Sequence, residues 1–135
     1  METATFEVQT GSSEAVHDIT AHCERWAERC GGDGLLHVFV PHATAGIAVL
    51  EIGSGSEADL LAVMRELLPA DDRWRHAHGS PGHGRSHVLP AFVPPYCTLP
   101  VTGGRLALGT WQSVCLVDLN VDNPVRTVRV SLLRG

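Results

Sequence analysis

Histidines are concentrated in one short segment of this sequence. Four of the eight histidines lie within residues 76–87, which read His-Ala-His-Gly-Ser-Pro-Gly-His-Gly-Arg-Ser-His. Neutral imidazole is the commonest metal ligand in proteins and the side chain best suited to proton transfer near pH 7. The intervening glycines let the backbone fold closely around an ion or an anion. The segment therefore predicts a polar functional site, with a solvated surface loop as the alternative.

Other polar residues with chemical potential lie at the ends of predicted elements. His42 follows one predicted strand, and Glu51 ends the next. Asp59 falls in the first turn of a predicted helix, where the helix dipole alone favours a carboxylate. Arg105 and the step Gly109-Thr110-Trp111-Gln112 are compatible with turn chemistry and a packed indole. Each of these residues, taken singly, has a structural explanation beside the functional one.

The composition disfavours several classes of function. All ten basic residues are arginine, which leaves no lysine for a Schiff base or a Walker-type phosphate loop. The formal net charge is −5 and the arginines are scattered, so binding to nucleic acid is disfavoured. The longest apolar runs fall far short of the ~20 residues that span a bilayer. Arginine remains available to hold a carboxylate or phosphate by a two-pronged contact.

The chain is expected to work in a reducing compartment. Its first residues, Met-Glu-Thr-Ala, contain no basic region and no apolar signal core. The four cysteines show no CxxC spacing, and Cys23 and Cys30 would be ~10 Å apart along one helix, too far for a disulfide. We therefore expect a cytoplasmic protein with reduced thiols.

The hydrophobic patterns predict how these residues are positioned. They indicate a helix of about 17 residues that ends at Gly31-Gly32, and a second helix from Ser56 to Pro69. Strand-like runs occupy residues 3–10, 35–40, 44–51, 95–101, 105–108, 110–119 and 125–133. Two helices among six or seven strands predict a single α+β domain over residues 1–135. Its sheet or sandwich would be mostly antiparallel, with the two main helices packed on it.

Taken in chain order, these segments resemble the YjbQ family, also called UPF0047. The residues that carry the resemblance are Pro41-His42-Ala43-Thr44-Ala45, Glu51, Asp59, His76, Ser86-His87, Leu99-Pro100, Gly104-Arg105 and Gly109-Thr110-Trp111-Gln112. The Gly-Thr-Trp-Gln step after Gly-Arg is the most specific element. The resemblance implies a YjbQ-like α+β fold that assembles as a homotrimer, with polar pockets near the subunit contacts.

The resemblance also implies an activity. The family is associated with a secondary thiamine-phosphate synthase activity, in which a pyrimidine-methyl group moves from its pyrophosphate to thiazole phosphate. By position, the implied catalytic residues are His42, Glu51, Asp59, His87, Arg105 and Gln112, with Trp111 beside them. The implied ligands of a divalent metal, zinc or magnesium, are His42, His76 and His87. A metal-dependent hydrolase of a small phosphorylated metabolite and a non-catalytic trimer that binds a metal or metabolite are the alternatives.

This chain departs from the family pattern near the expected site. The usual His-Thr-Ser-Ala step is here His42-Ala43-Thr44-Ala45, and Leu50 stands where an Asn often precedes the glutamate. Ala77 replaces an Asp, while His78 and His83 are present nearby. A changed set of ligands is therefore an open alternative. The expectation is that the imidazoles of His42, His76 and His87 converge on one pocket with acidic or arginine support.

Overall fold

A computed structural model describes residues 1–135 and contains two α-helices and eight strands. The helices are α1 (Thr20–Cys30) and α2 (Ser56–Leu67). The strands are β1 (Glu2–Gln9), β2 (Ala15–Asp18), β3 (Gly34–Phe39), β4 (Ala45–Leu50), β5 (Tyr96–Thr102), β6 (Arg105–Leu106), β7 (Ser113–Asp118) and β8 (Val125–Arg134). Two short 3-10 helices cover His83–His87 and Leu89–Ala91. The α+β prediction is confirmed, and no helix is both long and apolar enough to cross a membrane.

The strands form two antiparallel sheets. Five strands pair in the order β1-β8-β3-β5-β6, and three pair in the order β2-β7-β4. Alternate residues of the central strand β7 enter two different cores, because successive side chains of a strand point to opposite faces. Val114 and Leu116 join the main core with α1, while Val117 joins a smaller core with Met64 and Leu68 near the end of α2. Burial on both faces explains the continuous apolar run in β7.

The first predicted helix is shorter than its periodicity indicates. Ala15–Asp18 forms strand β2, which pairs with β7 from Ala15 opposite Asp118 to Asp18 opposite Cys115. The helix begins only at Thr20, whose backbone N–H and hydroxyl both donate to Asp18 Oδ1 at 2.9 and 2.6 Å. Pairing with an already buried strand therefore overrides the helical spacing of Val16 and Ile19.

The second helix begins at Ser56, as predicted, and ends at Leu67, two residues before Pro69. Gly55, in the left-handed conformation with φ 106°, is the N-cap residue, and no side chain caps the helix. Glu57 accepts from the backbone N–H of Gly53 at 3.2 Å and holds the turn that precedes the helix.

Candidate metal centre

Four imidazoles meet in the loop between α2 and β5. One ring nitrogen from each of His76, His78, His83 and His87 lies within 4.8 Å of all the others. The Nε2 atoms of His83 and His87 are 2.9 Å apart, and those of His76 and His78 are in direct contact. The four nitrogens therefore face a common centre.

A short 3-10 helix positions two of these rings. His83 and His87 are its first and last residues, and it follows Gly82, whose φ of 75° is accessible to glycine at no steric cost. The hydroxyl of Ser86 donates to the backbone carbonyl of His83 at 2.6 Å. His83 is buried to 8% exposure of its side chain, so this ring is fixed while the others are more accessible.

A buried guanidinium anchors the same 3-10 helix. Arg85 Nη2 donates to Glu14 Oε2 at 2.8 Å, and Nη1 donates to the carbonyl of Leu68 at 3.3 Å. Glu14 also pairs with Arg65 of α2. These contacts fasten the histidine loop to the end of α2 and to the segment before β2.

Close packing of the backbone places the third ring. A Cβ on Gly84 would lie 2.4 Å from the carbonyl oxygen of His76 and 2.5 Å from Trp74 Cβ, so only glycine fits there. The indole N–H of Trp74 donates to the Pro69 carbonyl at 2.9 Å. As a result, the rings of His76 and His87 stack with centroids 3.7 Å apart.

A carboxylate supports the cluster from behind. Asp122 Oδ2 lies 2.7 Å from His83 Nδ1, a close contact that lacks the alignment of a hydrogen bond. The same oxygen accepts from the backbone N–H and the hydroxyl of Ser80 at 3.1 and 3.0 Å. These bonds from Ser80, with smaller contributions from His83, hold the pKa of Asp122 below its ordinary value. Asp122 is therefore ionised and can fix the orientation of His83.

Two of the rings are held in the neutral form. Desolvation lowers the pKa of His76 and of His87, and the neighbouring imidazoles lower both further because their positive charges would repel. Neutral imidazole is the form that binds a metal ion.

The donor set fits a zinc-like ion. In a tetrahedral site with bonds of ~2.1 Å the ligating nitrogens are ~3.4 Å apart. The four nitrogens, which lie within 4.8 Å of one another, would therefore have to move by up to about an ångström. The carboxylate behind His83 is the outer partner that such histidines usually have. Magnesium prefers oxygen ligands, so of the two ions expected the donor chemistry favours zinc. A cavity of about 230 Å³ opens beside the rings and includes Asp71 and Asp72 in its lining.

His42 lies outside this cluster. Its Nε2 accepts from the backbone N–H of Thr127 at 3.0 Å, and burial, together with the charge of Arg126, lowers its pKa. Asp118 and Arg126 form a fully buried ion pair beside it, 2.7 Å between Oδ2 and Nε. The structure thus brings His76 and His87 together as expected, but within one chain it does not bring His42 to them. A backbone bond occupies the His42 nitrogen instead.

Three further predicted residues lie at the far end of the three-stranded sheet. Leu50 pairs with Ser113, which places Glu51 beside Gln112 where β4 ends and β7 begins. β7 separates this end from the Asp118 end by ~17 Å, at ~3.3 Å per residue. Asp59 is exposed in the first turn of α2, ~13 Å along the axis from Leu68. All three are exposed, and Gln112 Oε1 accepts from the Gly109 N–H at 2.8 Å.

Arg105 and Trp111 are also separate from the histidines. Arg105 is exposed on β6, the edge strand of the five-stranded sheet, and pairs in register with Thr102. The Trp111 side chain is 73% exposed and does not pack in a core. Neither residue lines the cavity beside the histidines.

The sequence predicted part of the site only. His78 and His83, which it left as an open alternative, complete the cluster in place of His42. The sequence assigned no role to Asp122, and Arg85 is included only as a residue of the histidine segment 76–87. The alternating polar residues Asp118, Asn120 and Asp122 after a buried strand are the signal that could have indicated a supporting network.

Comparison with known proteins gives a consistent result. The profile described as UPF0047 protein YjbQ-like matches residues 4–135. The chain is 63% identical over 103 residues to a UPF0047 protein of Mycobacterium bovis, covering 76% of this chain and 80% of that protein. A UPF0047 protein of Archaeoglobus fulgidus is 32% identical over 123 residues, covering 91% and 93%.

Solved structures share the whole fold. The crystal structure of a YbjQ-like protein of unknown function from Sulfolobus solfataricus has a TM-score of 0.91 at 27% identity, covering 99% of this chain and 97% of that one. A hypothetical protein from Aeropyrum pernix has a TM-score of 0.89 at 36% identity, and the match covers 100% of both chains.

Proposed function

This chain belongs to the UPF0047 family of YjbQ-like proteins, and we propose that it is a metal-dependent enzyme acting on a small phosphorylated substrate. The observation that carries the proposal is the convergence of four histidine nitrogens within 4.8 Å, backed by an ionised aspartate. His76, His78, His83 and His87 would hold the ion. A divalent metal bound there would supply the positive charge that stabilises a leaving phosphate or pyrophosphate.

The charges of the cavity support a cation-dependent mode of substrate binding. Its lining includes Asp71 and Asp72 and no arginine, so without a cation this surface would repel a phosphate. Asp71 is already paired with Arg73 at 2.7 Å. Arg75, adjacent to His76 and exposed, forms no ion pair and would contact a phosphate from the rim. The cavity lining and Arg75 would thus orient the substrate next to the histidine cluster.

Within this class, the family resemblance favours a thiamine-phosphate synthase-like transfer. The bond between the pyrimidine methylene and pyrophosphate would break, and the thiazole nitrogen would form the new bond to that carbon. Such a reaction needs neutralisation of the leaving group and little covalent chemistry from the protein. Hydrolysis of a small phosphorylated metabolite would use the same cluster, and is the second candidate because the rings are accessible to water on the His76 and His78 side.

We also propose that the protein assembles as a homotrimer. The outer face of the five-stranded sheet exposes apolar side chains, with Leu35 opposite Leu133 at 48% and 45% exposure and Tyr96 at 51%. Burial of such a face against another copy would be favourable. Mass measurement in solution tests the assembly, and Leu133→Asp should yield monomers.

We propose a cytoplasmic location because the cysteine thiols are free. All four cysteines are free, and Cys23 and Cys115 are buried. Burial raises the pKa of each of these two thiols to about 12, which makes them unreactive towards oxidation. Thiol labelling of protein isolated from its own cells, without reductant, tests this proposal, and any disulfide would contradict it.

The enzyme proposal is tested by metal analysis combined with turnover. The wild type should bind one zinc or cobalt ion per chain and form thiamine phosphate from the pyrimidine pyrophosphate and thiazole phosphate. His87→Ala should abolish turnover and weaken metal binding. His22→Ala is the matched control, because that imidazole stacks on Phe6 with centroids 4.3 Å apart and lies outside the cluster. If the protein binds metal stoichiometrically but turns over neither the transferase substrates nor a small phosphorylated metabolite, the enzyme proposal is wrong and only metal binding remains.

A further inference from the structure

A buried ion pair begins a polar network that ends at the histidine cluster. Arg126 Nε donates to Asp118 Oδ2 at 2.7 Å, and its Nη2 donates to Oδ1 at 3.0 Å. The two side chains are 1% and 0% exposed, so neither charge is solvated. Arg126 Nη2 also donates to Thr44 Oγ1 at 2.8 Å. A pair with this many bonds at full burial is fixed in position.

Asn120 connects this pair to the next segment through three of its polar groups. Its backbone N–H donates to Asp118 Oδ1 at 2.8 Å, and its side-chain Nδ2 donates to Thr44 Oγ1 at 3.2 Å. Its Oδ1 accepts from the backbone N–H of Asp122 at 2.9 Å. Asn120 is 6% exposed, and a buried amide is costly unless its groups are bonded.

The network reaches the cluster one residue later. Asp122, held by Asn120 at its backbone, places its carboxylate 2.7 Å from His83 Nδ1. We infer that Asn120 is a positioning residue that sets Asp122 against His83 and so orients one of the four imidazoles. This inference rests on the proposed metal site. It adds to that site a residue that makes no hydrogen bond to any of the four histidines.

The side chain of Asn123, a second asparagine in the same loop, makes only a local hydrogen bond of the kind usual in turns. Asn123 Oδ1 accepts from the backbone N–H of Val125 at 3.4 Å, and its side chain makes no other hydrogen bond. Asn123 is half-buried and leads away from the histidines into β8. The two residues share a type and a loop, but only Asn120 connects a buried charge pair to Asp122. Asn123 is therefore the matched control.

The test measures cobalt binding by the full chain. We expect Asn120→Ala to weaken the affinity about tenfold and to alter the visible absorption spectrum of the bound ion, since loss of an outer partner typically costs ~10–100-fold. Asn123→Ala should stay within about twofold of the wild type, with an unchanged spectrum. Circular dichroism establishes that each variant is folded at the temperature of the titration.

A double-mutant cycle separates positioning from a general loss of structure. If Asn120 acts through Asp122, then adding Asn120→Ala to Asp122→Ala should cost no further affinity. Equal losses in the two backgrounds would overturn the inference. Should Asn120→Ala not fold, Thr44→Ala removes one acceptor of the Asn120 amide, and the absence of a several-fold loss there would likewise overturn it. Failure of the wild type to bind cobalt would instead refute the proposed metal site.

Discussion

The two ends of the three-stranded sheet are built differently. At the end where β7 leads to Asp122, the polar side chains are interlocked with one another and with buried charges. At the opposite end, Glu51 and Gln112 are exposed, and Gln112 accepts only from the Gly109 N–H within a turn. The Asp122 end is a preorganised set of hydrogen-bond donors and acceptors. The Glu51 end is an exposed polar surface.

The difference shows which parts of a site the chain can assemble alone. The four histidines are close in sequence, so a loop and a 3-10 helix are enough to make them converge. Glu51 and Gln112 are placed by the register of β4 on β7, which carries them away from that loop. If they act on the same substrate, they must act from another copy.

Double substitutions at each end of the sheet give the largest expected difference between the two ends. His76→Ala with His87→Ala should abolish stoichiometric zinc binding, because the loss of two ligands exceeds the ~10–100-fold cost of losing an outer partner. Glu51→Ala with Gln112→Ala should leave zinc affinity within about twofold, since neither residue reaches the cluster. Isothermal titration measures both. Comparable losses in the two pairs would show that the ends form one site.

A single change behind the cluster should have an intermediate effect. Asp122→Ala removes the carboxylate that faces His83, and we expect a ~10–100-fold loss of zinc affinity with the fold retained. Competition with a chromophoric chelator measures the change. An affinity equal to that of the wild type would mean that His83 needs no outer partner.

The stability of the metal-free protein should depend on pH through the cluster. The pKa values of His76 and His87 are lowered in the folded state, whereas the unfolded chain binds these protons near pH 6.5. Stability is therefore lost as the pH falls through about 6.5 and on towards the folded values. Urea denaturation between pH 7.5 and pH 5 should show this slope, and the variant lacking both imidazoles should show a shallower one. Identical slopes would contradict the assignment.

The smallest effect is expected at the open end. Asp59→Ala removes a carboxylate from the first turn of α2, which should lower the free energy of unfolding by about 0.3–1 kcal/mol. Zinc affinity should not change. Turnover should be measured alongside denaturation. A large loss of activity with nearly unchanged stability would mean that Asp59 acts in the same site as the histidine cluster.

The sequence predicted the fold class and the histidine loop because both depend on local patterns. Alternation and helical spacing located most of the elements, and composition alone located residues 76–87. The error at Ala15–Asp18 arose because pairing with β7 is a tertiary interaction that periodicity does not report. The residues of this segment suit a strand as well as a helix once a buried strand edge is available.

The composition of the site was harder to predict than its location. The expected approach of His42 to the cluster depends on where the chain turns after β3, and the bond from Thr127 fixes that ring elsewhere. Asp122 and Asn120 have the sequence signature of a turn, and they do form one. Their second role follows only from the burial of Asp118 and Arg126, which no short-range pattern reveals.

The closeness of the four histidines along the chain has a consequence for heat stability. An ion that binds only the native state raises stability in proportion to the logarithm of its affinity, but any affinity of the unfolded chain subtracts from that gain. Because residues 76–87 remain neighbours after unfolding, a denatured chain still offers several imidazoles within a short loop. If the native site binds zinc, added zinc would therefore protect this protein against heat less than its affinity for the native site alone predicts, and a newly made chain would capture the ion before it folds.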